Sequence, residues 1–385
     1  MAKKIIFSVI ILIILIPCGM WIAWLLAPNK KMVVAIVDKT VLTKDGQEHI
    51  SLNWVLNHNK ITKTSDKPYK ISEDYFGFFP LQDEQYELKG LERFSSQQLS
   101  QLGSDADMVY FTDTYGIYNN EWFKEGDASA RSGILYGGLT NQDIELLNKM
   151  KSRHKLILTE FNTIGSPTQL RNRSEFEKMF GLKWTGWTAR YFQNLDIDTN
   201  PEIPKWLITN YKRTHNDQWP FKNAGLVFVN IKDEVMILEE GKQIKNALPQ
   251  IHSTVQAQQR LGLPEKIKYS FWFDIMQPDL KINKIEASFT MELMNAGATL
   301  LTENNIPHTF PAVLSHLDKD YRFYYFSGDF SDNSISLTSS YFKGIGFFKS
   351  FFYDDRKPSE RSSFFWKFYR PMLTNILKEE RNRLN

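Results

Sequence analysis

Residues Ile5 to Ala27 carry no charged side chain, with Lys3 and Lys4 before them and Lys30 and Lys31 after. As a helix rising about 1.5 Å per residue, this stretch would be about 34 Å long, enough to cross a bilayer. The first expectation is a transmembrane helix over residues 5–27, inside a membrane anchor of residues 1–31, with the lipid bilayer as partner. Cleavage as a signal peptide is disfavoured, because Leu25 stands where a small residue is wanted and Pro28 follows the would-be cut. Lipidation at Cys18 is disfavoured by Pro17 before it. Trp21 and Trp24 suit the aromatic belt of a membrane interface. A short N-terminal tail usually stays inside, so the expected location is a bacterial cytoplasmic membrane crossed once, with the globular part extracytoplasmic.

The remainder has no cysteine, since Cys18 is the only one in the chain. That excludes a disulfide framework and suits an oxidising compartment. The formal net charge is +3. No basic stripe stands out, so nucleic acid is not an expected partner. There is no Walker A and no GxGxxG sequence, so no nucleotide is expected, and no GxSxG elbow marks an esterase. His49 and His58 lack a helical metal-ligand spacing, and no HExxH occurs. His308 and His316 read as surface or capping residues. Neither a metal nor a cofactor is expected.

Short apolar runs alternate with helical stretches. Met32–Val37 reads as a buried strand ending at Asp38, 107–112 as a second ending at Asp113, and 155–159 as a third ending at Glu160. Between the last two, Leu139–Met150 reads as a helix with Thr140 as cap and Asp143 three residues on. Helices are also read at His49–Leu56, Arg173–Phe180, Pro204–His215, Phe289–Leu301 and Phe364–Lys378. Strands are read at Leu226–Val229, Val235–Leu238, Lys268–Phe273 and Arg322–Phe326. The pattern predicts an α/β fold, a mostly parallel sheet with helices on both faces, preceded by one N-terminal transmembrane helix. The domain reading is anchor 1–31, α/β domain 32–335, and an aromatic-rich C-terminal extension 336–385 packing on it.

The segment Asp107–Asp113, then Gly137-Gly138-Leu139-Thr140 opening a helix, then Lys155–Glu160 resembles the middle of the class I glutamine amidotransferase-like (flavodoxin-like) fold, in its ThuA-like branch. Arg322–Asp329 resembles that fold's late strand, where the chain returns beside the site. True amidotransferases need a Cys nucleophile on a strand-to-helix elbow. Here Thr159-Glu160-Phe161-Asn162 stands at that place, which excludes glutaminase chemistry.

Open parallel sheets bind ligands beyond the carboxyl ends of their strands. Asp38, Asp113 and Glu160 end strands there, and are the candidate catalytic residues. Together they could bind a hard cation or serve as an acid and base pair. The plainer alternative is that each caps a helix or holds a loop backbone. Tyr115, Asn162, Trp184 and Trp187 are the candidate ligand-binding residues, set against ordinary core packing for the rings. Two functions follow. One is a non-catalytic binding or scaffolding module of the cell envelope, with a glycan or a membrane protein as partner. The other is an envelope polysaccharide hydrolase using the strand-end carboxylates. Carboxyl groups about 5–10 Å apart in an open cleft favour the second, and acids tied up by backbone donors favour the first.

Overall fold

Along Val34–Asp38 the side chains alternate between two cores. Val34 and Ile36 join one apolar cluster, and Ala35 and Val37 the other. Met108–Asp113, Leu156–Glu160 and Arg322–Phe326 alternate in the same way, so the sheet they form is covered on both faces. The computed structural model describes residues 15–64, 66–124 and 132–384. Helix Ile50–His58 and the C-terminal helical segment to Leu384 cover one face. Helices Ser96–Asp105, Asn141–Ser152 and Leu170–Phe180 cover the other.

The expectation of a mostly parallel sheet is corrected. The large sheet has 10 strands and is mixed. Arg322–Phe326, Leu156–Glu160, Met108–Asp113, Val34–Asp38 and Phe76–Pro80 run parallel in that spatial order. Tyr86–Leu88 adds an antiparallel edge. On the other side Thr309–His316, Lys284–Leu293, Ile244–Ser253 and Lys266–Lys268 extend the sheet antiparallel. Within this extension, the helix expected at Phe289–Leu301 is a strand, Lys284–Leu293, followed by helix Asn295–Glu303. Ala287, Phe289, Met291 and Leu293 recur every second residue and pack on one core, a strand period that helix-favouring composition disguised. The strand expected at Lys268–Phe273 is also corrected, being two elements, Lys266–Lys268 and Phe273–Pro278.

A second, antiparallel sheet orders Val235–Glu239, Gly225–Asn230, Leu182–Phe192 and Phe273–Pro278. Helix Lys205–Thr214 packs on it over Phe192, Val227 and Ile237. The two sheets are tied where Phe273 bridges Gly328 and the Asp274 N–H donates to the Ser327 carbonyl at 2.6 Å.

The transmembrane helix expected over residues 5–27, and with it the membrane, signal-anchor and single-pass reading, is corrected too. Among the described residues no helix is long and apolar enough to cross a membrane. Helix is described over residues 15–26, about 18 Å at the usual rise, and residues 5–14 lie outside the described residues. The end of this helix is docked on protein. Trp24 is buried, donates from Nε1 to the Asn57 carbonyl at 3.1 Å, and meets the Tyr341 ring edge-on at 4.8 Å.

Candidate functional site

The loops leaving the parallel strands gather at the carboxyl edge of the large sheet, facing the second sheet. Between them lies a cleft of about 400 Å3. One wall carries Thr40, Glu48, Asp113, Asp329 and Asp332, and the other carries Trp184, Arg190 and Asn230, with Phe271 and Trp272 between.

The three strand-end acids are buried, and each is occupied by donors. Asp38 accepts from the Thr40 N–H at 3.0 Å and meets Nδ1 of His49, whose Nε2 faces the Ile71 carbonyl at 2.8 Å. Asp113 pairs in register with Asp38 on the neighbouring strand. Its carboxylate accepts from the Thr40 hydroxyl at 2.6 Å, the Tyr115 N–H at 2.5 Å and the Asn162 amide at 3.3 Å. Burial pushes the Asp113 pKa up to about 7, and the charge of Asp38 adds to it, while these three donors oppose the rise.

Glu160 does not open into the cleft. Tyr110 donates to one of its oxygens at 2.7 Å, and the Ser331 N–H and hydroxyl lie against the other. Burial raises the Glu160 pKa well above the carboxylate range. The Ser331 hydroxyl also lies 2.5 Å from the Glu48 carbonyl and has one proton to give. The Ser331 hydroxyl thus sits between the Glu160 carboxyl and the Glu48 carbonyl. The acid therefore positions the loops that carry Glu48 and Asp332.

Those loops hold a second carboxylate set. Oxygens of Glu48, Asp329 and Asp332 lie within 4.8 Å of one another. Asp332 accepts from Gln47 at 3.0 Å and from Arg361 at 3.2 and 3.3 Å. Burial raises the Glu48 and Asp329 pKa values well above normal, and the neighbouring carboxylates raise them further. These are the residues that could hold a hard cation. Three protein oxygens, one already engaged, would leave about half of a six-to-eight-oxygen shell to water or ligand. Protonated carboxyls at this spacing can instead both donate and accept hydrogen bonds.

The structure thus brings Asp38, Asp113, Tyr115 and Asn162 together, and sends Glu160 inward. It separates the two tryptophans. Both are buried. Trp184 packs in the core of the far face, its edge reaching the cleft, and donates from Nε1 to the Trp187 carbonyl at 2.9 Å under the Arg173 guanidinium, while Trp187 joins the main core. Both lie on strand Leu182–Phe192, which bulges between Trp184 and Thr188. Gly186, at φ +87°, supplies the backbone conformation of that bulge.

Glu48, Asp329, Asp332, Arg190, Phe271 and Trp272 are not among the residues expected from sequence. The first three had a readable signal in part. Asp329 and Asp332 follow strand Arg322–Phe326 closely, as Asp113 ends its own strand, while Glu48 lies in the 3-10 turn Gln47–His49 after Asp38. Arg190 and the two rings face the cleft only through the second sheet, whose pairing no local pattern announces.

No protein-family model matches the chain, and no curated protein matches it. Solved structures similar to it include ThuA-like proteins, the branch that the sequence resembles. One from Parabacteroides merdae has 10% identity and TM-score 0.35, covering 77% of this chain and 79% of that one. One from Bacteroides uniformis has 10% identity and TM-score 0.36, covering 82% and 89%. A carbohydrate deacetylase has 9% identity and TM-score 0.32, covering 78% of this chain and 30% of that one. At this distance, function is read from the cleft alone.

Proposed function

We propose that this protein is a carbohydrate-binding module, and that the cleft at the sheet edge takes the sugar without cleaving it. The observation that carries this reading is the composition of the cleft. The half-buried rings of Phe271 and Trp272 line the same cleft as the carboxyl groups of Glu48, Asp329 and Asp113. A sugar offers the matching surfaces, apolar C–H faces for rings and hydroxyls that both donate and accept. The volume of about 400 Å3 lies in the range of ligand sites.

Against hydrolysis stands the state of the strand-end acids. Asp38 and Glu160 do not line the cleft, and Asp113, which does, is held by three protein donors. The hydrolase alternative draws on one observation only, the proximity of Glu48 and Asp329, close to the carboxyl spacing of retaining glycosidases.

Incubating the full chain with a panel of polysaccharides and measuring both retention on the polymer and release of reducing ends separates the two. Retention without release supports binding. Release that disappears in Glu48→Gln or Asp329→Asn would overturn the binding reading in favour of the hydrolase.

A further inference from the structure

Beside the cleft lies a second hollow of about 530 Å3 with a different character. Its lining is polar and includes Gln193, Asn194, Asn200 and Ser359, and it shares Arg190 and Phe271 with the first cleft. The shared pair forms a ridge. The Arg190 guanidinium lies 5.0 Å from the Phe271 ring centre, and the Arg361 guanidinium 3.6 Å from it. Arg190 is further braced by Glu202 at 3.1 Å, and Arg361 by Asp332, a carboxylate of the first cleft. The ridge is therefore held from both sides.

From this continuity we infer that the two hollows are subsites of one groove, and that the ligand is an extended oligosaccharide rather than a single sugar. The inference rests on the carbohydrate reading of the first cleft. A ligand confined to that cleft would have no use for an adjoining hollow of amides and hydroxyls across a shared aromatic ridge. A chain crossing Phe271 places one unit over the carboxyl and tryptophan walls and the next among the amides of the strand-to-helix loop. In the second hollow Asn194 donates to Thr199 at 2.8 Å and accepts from the Asp196 N–H at 2.7 Å, and Asn200 accepts from the Glu202 N–H at 3.0 Å, so these amides shape the hollow. The exposed Gln193 amide and Ser359 hydroxyl are the groups that meet sugar hydroxyl or acetamido groups, while the first cleft contributes stacking.

The test is calorimetric titration of the full chain with cello-, chito- and manno-oligosaccharides of one to six units. The groove predicts an affinity at least tenfold higher for the longer chains of one series than for its monosaccharide. Gln193 and Ser359 are exposed at the hollow's rim, where Ser359 donates to Gln193 at 3.4 Å. Ser359→Trp and Gln193→Trp, each filling the second hollow from its solvent side, should collapse that chain-length dependence. An affinity that does not rise with length, or that rises equally in both variants, would overturn the inference while leaving carbohydrate binding in place. Absence of binding at every length would remove the carbohydrate reading, and the groove with it.

Discussion

Buried acids dominate the chemistry of single residues here. Asp274 accepts from the Tyr325 hydroxyl at 2.7 Å and from the Asn162 N–H at 3.2 Å, while its other oxygen has no partner. Burial pushes its pKa up to about 7. An acid whose pKa rises on folding keeps its proton in the native state where the unfolded chain has lost it. Its stabilising contribution is complete below about pH 4 and is lost as pH climbs to about 7, at up to about 1.4 kcal/mol per pH unit per group. Urea unfolding should therefore show stability falling across that window. Asp274→Asn should flatten the fall, gaining on the wild type between pH 5 and 8; parallel profiles would count against it. Legibility at this scale was partial. Asp113 and Asn162 could be named because a strand-end acid and its loop are local in sequence. The inward turn of Glu160 could not, since it depends on Tyr110 and Ser331, which arrive from 50 and 171 residues away.

At the scale of elements, helix Asn141–Ser152 was the most legible. Thr140 accepts from the Asp143 N–H, and Asp143 answers to the Thr140 N–H at 2.7 Å, a capping box readable from spacing. What the spacing did not reveal is that Asp143 also pairs with buried Lys39 at 2.6 Å, fixing the helix start to the loop after Asp38. Thr140→Ala should cost about 1 kcal/mol, the usual value of a cap. Asp143→Ala should cost about 3–5 kcal/mol, because it strands a buried ammonium. Equal losses in denaturant titration would deny the ion pair its structural part. The bulge at Gly186 was hidden, since Trp184 and Trp187 were read for their rings and not as part of a strand, and the segment is an interruption within one. Gly186→Ala has room, with the Ile231 methyl 3.6 Å from the new carbon, but not the backbone freedom. It should cost about 1–2 kcal/mol through φ alone.

The whole molecule is a parallel core enlarged on one side by antiparallel strands and faced by a second sheet. Four of the five parallel strands were legible because burial on both faces leaves continuous apolar runs, and Phe76–Pro80 at the edge of the set was not read. Leu182–Phe192, Ile244–Ser253 and Thr309–His316 were not read as strands. Their sheet partners lie far off in sequence, and polar residues interrupt their apolar ones. In the N-terminal apolar run, the described helix over residues 15–26 is too short to cross a membrane, and its Trp24 seats against protein, a contact that hydropathy does not announce. The C-terminal segment closes the main core around Trp54, whose ring meets Phe365 and Trp366 edge-on at 5.1 and 5.3 Å. Trp54→Ala should cost about 3–5 kcal/mol in thermal or denaturant unfolding, and a change below about 1 kcal/mol would mean that the segment packs elsewhere. The central claim, that the sheet-edge cleft is a carbohydrate site, is tested most directly by binding of the full chain and its Trp272→Ala variant to the same polysaccharide panel. The account predicts saturable binding to at least one polymer, weakened at least tenfold in the variant. Binding that is absent throughout, or indifferent to loss of the Trp272 ring, would contradict it.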